Sequence, residues 1–368
     1  MPNHVRTVPT SSTAITAQWL TNALQRVGSL GPASSVTAVQ AEPLSAGVGF
    51  MGEVARLRVE YDGPVDLPPT MIAKIPTQNE QLRSMLAPAA VFEREARFYE
   101  TVCPQIPEIS GRCWSATIDL ENDDFLLLLE DLSALRMGDQ LAGCTVDDAA
   151  RALEAAALLH AAFWHSPKLD MLTWMPEVNS AGMKIGEHVY AASLGGFQQL
   201  FGSALDPSLD RLVERFGPNA PQLLDRFAAM PTTVSHFDYR LDNLFFDDTP
   251  GANTVRMIDF QTSSKGGFIY DVGYLLSQSL SVADRRNNED SLLRSYHDAL
   301  VGAGVAGYSF DQLRADYRVG VLYGWIIPVF AVGSLDVSSE RAMALWTDVI
   351  KRSQAAMSDH AVADLLTA

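Results

Sequence analysis

Val234-Ser235-His236-Phe237-Asp238-Tyr239-Arg240-Leu241-Asp242-Asn243-Leu244-Phe245-Phe246 is the stretch that decides how this chain reads. Apolar residues at both ends predict short strands, and the polar middle predicts a loop joining them. His236 and Asp238 stand two apart, and Asn243 follows Asp238 by five residues. The spacing suits a group transfer between oxygens. An aspartate can accept the proton of an attacking hydroxyl. One loop turn later an amide oxygen can reach a metal ion held on phosphates. The same residues would also serve as a polar loop that merely closes a hairpin.

Downstream lies Val255-Arg256-Met257-Ile258-Asp259-Phe260-Gln261, an apolar strand that delivers one carboxylate at its end. A carboxylate there is suited to Mg²⁺, a hard cation that prefers carboxylate and phosphate oxygens. It could equally cap a turn. Upstream, Met71-Ile72-Ala73-Lys74-Ile75 sets one lysine in an apolar strand. Burying an ammonium costs several kcal/mol unless it is paired. Lys74 therefore either faces solvent or meets an anion. The next helix offers Glu93 and Glu95. Glu95 is preferred, as the fourth position of an F-x-x-E-x-x-F-Y pattern that begins at Phe92; Glu93 reads as a solvated charge.

Farther upstream, Gly47-Val48-Gly49-Phe50-Met51-Gly52-Glu53-Val54 fits GxGxxG. A dinucleotide site needs a helix after the glycines. Here an alternating strand follows, Ala55, Leu57, Val59 and Tyr61 on one face and Arg56, Arg58 and Glu60 on the other. Strand–loop–strand makes it a phosphate-cradling loop or a plain hairpin turn. Glycine loop, strand lysine, helical glutamate, HxDxxxxN and strand-end aspartate occur in that order, each on the element its chemistry needs.

The 368 residues suit two domains or one large two-lobed unit. Net charge is −17, which argues against nucleic acid and anionic membrane surfaces. Three cysteines in no metal-ligand spacing predict reduced thiols. No secretion signal and no window with the length of a membrane span is read, so the expectation is a cytoplasmic protein. Before residue 132, strand signals dominate: 36–44, 54–61, 70–75, 112–118 and 125–130, with helices at 14–27 and 92–102. Afterwards helical periods take over, at 149–165, 186–203, 208–229, 271–281, 285–302, 310–332 and 338–357, broken by the strands around 233–260.

These residues resemble the aminoglycoside phosphotransferase and choline kinase branch of the protein-kinase-like fold, from about Leu44 to Leu280. His236 to Asn243 is similar to that branch's HGDxxxxN, with Phe237 where the branch usually has glycine. Ile258-Asp259-Phe260-Gln261 is similar to its IDW/F signature. Leu158-Leu159-His160-Ala161-Ala162-Phe163-Trp164 resembles a helix of the ecdysteroid-kinase-like members. Gly267 and Asp271 resemble the branch's G…D-L-A segment, in which the aspartate braces the catalytic loop.

The resemblance implies an α+β, bilobal protein-kinase-like fold. Residues 1–131 would form an antiparallel-sheet lobe with one key helix, and residues 132–368 a larger, mostly helical lobe. It implies transfer of the γ-phosphate of ATP, with Mg²⁺, to a hydroxyl of a small molecule. Asp238 would be the catalytic base; Asn243 and Asp259 would hold the metal. Gly47, Gly49 and Gly52 would cover the phosphates, Lys74 and Glu95 would hold them, and Glu130 and Leu132 would meet the adenine. His160 reads as a structural histidine. Helix-spaced Trp164, Trp174, Tyr323 and Trp325 read as core or as pocket lining. About a dozen residues separate Asp259 from Tyr270, too few for a protein-substrate platform. A kinase-like binding protein without transfer stays open, and a protein kinase less so.

Overall fold

The computed structural model describes residues 8–44, 52–63, 65–122, 124–207 and 209–366. The chain divides into two compact units, Met1–Ala134 and Leu135–Ala368. The segment after residue 130 stays with the first unit. Arg56 Nε is 2.7 Å from Asp131 Oδ2, and Leu132 is buried.

The first unit holds α1 (Ala17–Arg26), β1 (Val36–Pro43), β2 (Gly52–Tyr61), β3 (Thr70–Pro76), α2 (Glu80–Leu86), α3 (Val91–Thr101), β4 (Cys113–Asp119) and β5 (Asp124–Glu130). The strands form one sheet in the order β1-β2-β3-β5-β4, antiparallel throughout. Period-two alternation gives the sheet two faces. Leu57, Val59, Met71, Ala73, Ile75, Leu126 and Leu128 join Leu20 and Leu24 of α1 in one core. On the other face Phe125 packs against Phe92 of α3 at 5.6 Å. Lys74 pairs with Leu127 in the ladder and so shares that second face.

In this unit one helix lies outside the sequence reading: α2, of seven residues. Its signal is a cap, not a period. Asn79 Oδ1 accepts from the Gln81 and Leu82 N–H groups, satisfying donors that a helix start leaves open.

The second unit holds β6 (Arg136–Met137), α4 (Val146–Phe163), α5 (Ala181–Lys184), α6 (Gly186–Phe201), α7 (Asp210–Ala228), β7 (Val234–Ser235), β8 (Leu244–Phe246), β9 (Val255–Met257), β10 (Ser264–Lys265), α8 (Ile269–Ser279), α9 (Val282–Gly302), α10 (Phe310–Tyr323), α11 (Ile326–Ser334) and α12 (Glu340–Asp359). Side-chain caps set four helix starts: Thr145, Ser281, Ser309 and Ser339. The Thr145 cap explains why α4 begins before the periodic run that starts at Ala149.

The helix expected over 310–332 is two, broken at Gly324–Trp325. Taken together, Phe310–Ser334 has the length and mean hydropathy of a membrane span, and 67% of its apolar window is buried inside the chain, as in the core helices of a folded unit. α8 and α10 cross at paired glycines: a Cβ on Gly273 would lie 2.4 Å from the Gly320 carbonyl carbon. That close crossing fixes α8, which carries Asp271. β6, β8 and β9 form one small sheet and β7 and β10 another. The segment His236–Asn243 bridges the two.

Candidate active site

The loop leaves β7 at Ser235, passes Asp238 and closes in a 3₁₀ turn at Leu241–Asn243 before β8. The turn folds Asn243 back over Asp238. Its Nδ2 donates to the Asp238 backbone O at 2.9 Å and to Asp238 Oδ2 at 3.0 Å. The five-residue spacing is therefore the length of one closed loop. With its NH₂ directed at Asp238, Asn243 has Oδ1 as its remaining polar atom, an oxygen that a hard cation accepts.

Asp259 follows β9 by two residues, in the left-handed region at φ 67°, which Asp tolerates better than most residues. Two bonds tie it to the loop. The Ile258 N–H donates to Asn243 O at 3.0 Å, and His236 Nε2 donates to Ile258 O at 2.9 Å. His236 is thus a strut between loop and strand.

Asp238 keeps 23% of its side chain exposed. Burial raises its pKa, the opposing charge of Arg240 lowers it, and the Asp259 charge raises it again; the net shift is upward. An aspartate shifted upward is a better proton acceptor than an ordinary one.

Below the loop lies a buried anchor. Asp271 Oδ2 accepts from the His236 N–H at 2.7 Å, and Oδ1 from the Phe237 N–H at 2.8 Å. His160 Nε2 stands 3.1 Å from Asp271 Oδ2, and its Nδ1 stands 2.7 Å from the Tyr296 hydroxyl. A carboxylate only accepts, so Nε2 carries the proton and Nδ1 accepts from Tyr296. His160 is fully buried, in keeping with a structural histidine.

In the first unit Lys74 Nζ lies 2.7 Å from Glu95 Oε1, with side-chain exposures of 15% and 1%. Glu93 instead pairs with Arg97 one turn along α3. Gly52 opens β2, and a Cβ there would sit 2.1 Å from Ile75 O, so close strand contact demands glycine. Gly47 and Gly49 lie outside the described residues. Glu130 ends β5, its N–H bonded to Arg112 O at 2.8 Å.

The sequence profile of the ecdysteroid kinase-like family matches residues 46–304. The chain belongs to the ecdysteroid kinase-like family. Lys74, Glu95, Asp238, Asn243, Asp259 and Asp271 all fall inside the matched range. A stretch of 90 residues is 32% identical to an uncharacterized kinase-like protein of Caenorhabditis elegans and covers 24% of each chain. The chain spans about a quarter of the length of the curated relatives it matches. Its fold is similar to that of choline kinase from Cryptosporidium parvum, with TM-score 0.52 and 10% identity over 88% of this chain and 91% of that one. It is also similar to the GDP complex of aminoglycoside 2′-phosphotransferase-IIIa, with TM-score 0.54 and 14% identity over 92% and 98%. Likeness at that identity establishes the fold, which is that of protein-kinase-like small-molecule kinases.

This ecdysteroid kinase-like chain has one site residue that motif spacing missed. Arg240 Nε lies 3.8 Å from Asp238 Oδ2, and Nη1 lies 3.3 Å from Asp242 Oδ2. Burial opposes its charge, but Asp238, Tyr274, Asp242 and Asp259 hold it firmly protonated. A cation inside a loop with two aspartates is the signal that would have found it.

Of the four aromatics considered for a pocket, Tyr323 alone is seen packed toward the loop, 6.1 Å from Phe237. Trp325 is fully buried against Phe197, and Trp164 packs on Phe268 and Tyr308. Two concavities of about 460 Å³ lie in the second unit. One is lined by His165, Asp170, Glu177 and Lys265 and the other by Arg226, Tyr308 and Asp316. Neither includes a residue of the 236–243 loop.

Proposed function

We propose that this protein is an ATP-dependent O-phosphotransferase acting on a hydroxyl of a small neutral molecule. The observation that carries the reading is Asp238, its pKa raised, gripped by Asn243 and coupled to Asp259. Asp238 orients the acceptor hydroxyl and takes its proton as the new O–P bond forms and the bond to the departing ADP breaks. Phosphoryl transfer of this kind rests on positioning and charge neutralisation.

Lys74, held by Glu95, is the cation for the α and β phosphates. The glycine motif that ends at Gly52 is the candidate cover for them, and backbone groups at Glu130 and Leu132 are the candidates to meet the adenine. The donor set fits Mg²⁺: Asn243 Oδ1 and the Asp259 carboxylate are hard oxygens. Phosphate oxygens and water would complete such a shell, as is usual for this ion. Bound there, Mg²⁺ would offset charge on the transferring phosphoryl group.

Arg240 supports a neutral acceptor. It already meets the Asp238 and Asp242 carboxylates, so a cationic amine would have to compete with a guanidinium already in place beside the base.

The test is nucleotide consumption with Mg²⁺ and either ATP or GTP, across amine, sugar, macrolide and sterol alcohols. Acceptor-dependent ADP release that disappears in Asp238→Asn is expected. Nucleotide binding with no turnover on any acceptor would instead assign a kinase-like binding protein.

A further inference from the structure

We propose that Phe237 determines acceptor specificity: its ring walls the acceptor side of Asp238, selects alcohols with a flat apolar face, and keeps water from the hydroxyl's place. The inference rests on the phosphotransferase reading above.

Its starting point is the backbone. Phe237 has φ 65°, the left-handed region, which costs a bulky L-residue roughly 1–2 kcal/mol. The loop dictates that conformation, because Asp271 binds the N–H groups of both His236 and Phe237. Glycine would adopt it freely. A residue strained in this way persists where its side chain returns something.

Core packing is an incomplete return, because the ring is only half-buried. Its inner side packs 4.6 Å from Tyr270, and its edge lies over Gly267, where an added Cβ would come within 3.1 Å of Phe237 Cε2. Gly267 itself needs its φ of 78° and its missing side chain, so the glycine makes room for the ring. Tyr270 stacks on Tyr274 at 5.6 Å. Phe237 directly precedes Asp238 in the chain, which joins this aromatic group to the base's own loop. An aromatic surface next to one placed polar group is how small-molecule sites orient an apolar ligand.

The water-excluding role follows from the same placement. The base that accepts a proton from an alcohol would also accept one from water, and a ring beside it limits that access.

The experiment compares full-length wild type with Phe237→Gly and Phe237→Leu. Glycine relieves the backbone and removes the wall; leucine keeps the strain and removes the flat face, and it serves if the glycine variant does not fold. Two quantities are read: ATP hydrolysis without acceptor, and binding of benzyl alcohol and of choline by saturation-transfer NMR. Phe237→Gly is expected to raise hydrolysis about tenfold and to weaken benzyl alcohol about tenfold relative to choline. Phe237→Leu is expected to weaken benzyl alcohol relative to choline in the same direction. Unchanged hydrolysis with unchanged relative binding in a folded variant would overturn the assignment and leave Phe237 a packing residue. A wild type that hydrolyses and transfers nothing, yet loses benzyl alcohol selectivity in the variants, would sink the phosphotransferase reading alone.

Discussion

His160 Nε2 meets Asp271 Oδ2 at 3.1 Å with both side chains fully buried, and the same carboxylate holds two backbone N–H groups of the 236–243 loop. Tyr296, on α9, closes the chain through His160 Nδ1. Three elements thus converge on one loop. Removing the Tyr296 hydroxyl leaves a buried acceptor unsatisfied. Tyr296→Phe is expected to cost about 1–3 kcal/mol in urea unfolding. Asp271→Asn should cost more, about 1.5–3 kcal/mol for each charge-assisted bond lost, and it should lower kcat as the loop loosens. A Tyr296→Phe protein with wild-type stability would show that the chain is not a support.

Asp238 carries opposed effects on rate and stability. Its folded pKa lies above the ordinary 3.8, so the folded protein holds that proton more tightly than the unfolded chain does. The stabilising contribution is present below the ordinary value and is lost as pH rises through the raised one. At neutral pH the ionised group therefore weakens the fold. Asp238→Asn is expected to raise Tm at pH 7 while lowering kcat by about 10²–10⁴-fold. The acid limb of the wild-type kcat profile should lie above 3.8. A Tm gain that persists unchanged at pH 3 would contradict this origin.

Lys74 and Glu95 invite a double-mutant cycle. Lys74→Met removes the cation against which Glu95 is buried and is expected to cost about 3–5 kcal/mol. Adding Glu95→Gln should return part of that loss, because the buried charge goes as well. In activity assays Lys74→Met should raise the KM for ATP. Strictly additive unfolding energies would show that the pair is not coupled.

Gly52→Ala tests the strand contact at the base of the glycine loop. The new Cβ would lie 2.1 Å from Ile75 O, against backbone that has no rotamer to yield. A loss of about 1–3 kcal/mol is expected, with β2 and β3 losing near-end pairing in NMR. Wild-type stability would mean that the two strands separate there without cost.

Much of this was readable in the residues. Strand alternation at 54–61 and the lone lysine at 74 are period-two signals and survive in β2 and β3 because the sheet has two distinct faces. The His236, Asp238 and Asn243 spacing is a loop closed by its own side chain, so it is written locally. Other features were not local. α2 is too short for a helical period, and its signal rests in Asn79. The split at Gly324–Trp325 interrupts an apolar run that reads as one helix, since composition does not change across it. Arg240 matched no motif position, and its role follows from two aspartates that the fold turns toward it. The positive φ of Phe237 is set by Asp271, a partner 34 residues downstream.

Every residue of α8, from Ile269 to Ser279, is buried. Such a helix has no face from which to fray, and its amides exchange with solvent hydrogen only when the surrounding unit opens. Asp271 stands in its first turn. The 236–243 loop, although it lies near solvent, is therefore moored to a fully buried helix, a part of the molecule expected to open slowly. Its backbone should keep its arrangement for as long as the second unit stays folded, so the pace of any rearrangement near Asp238 falls to side chains and not to the loop itself.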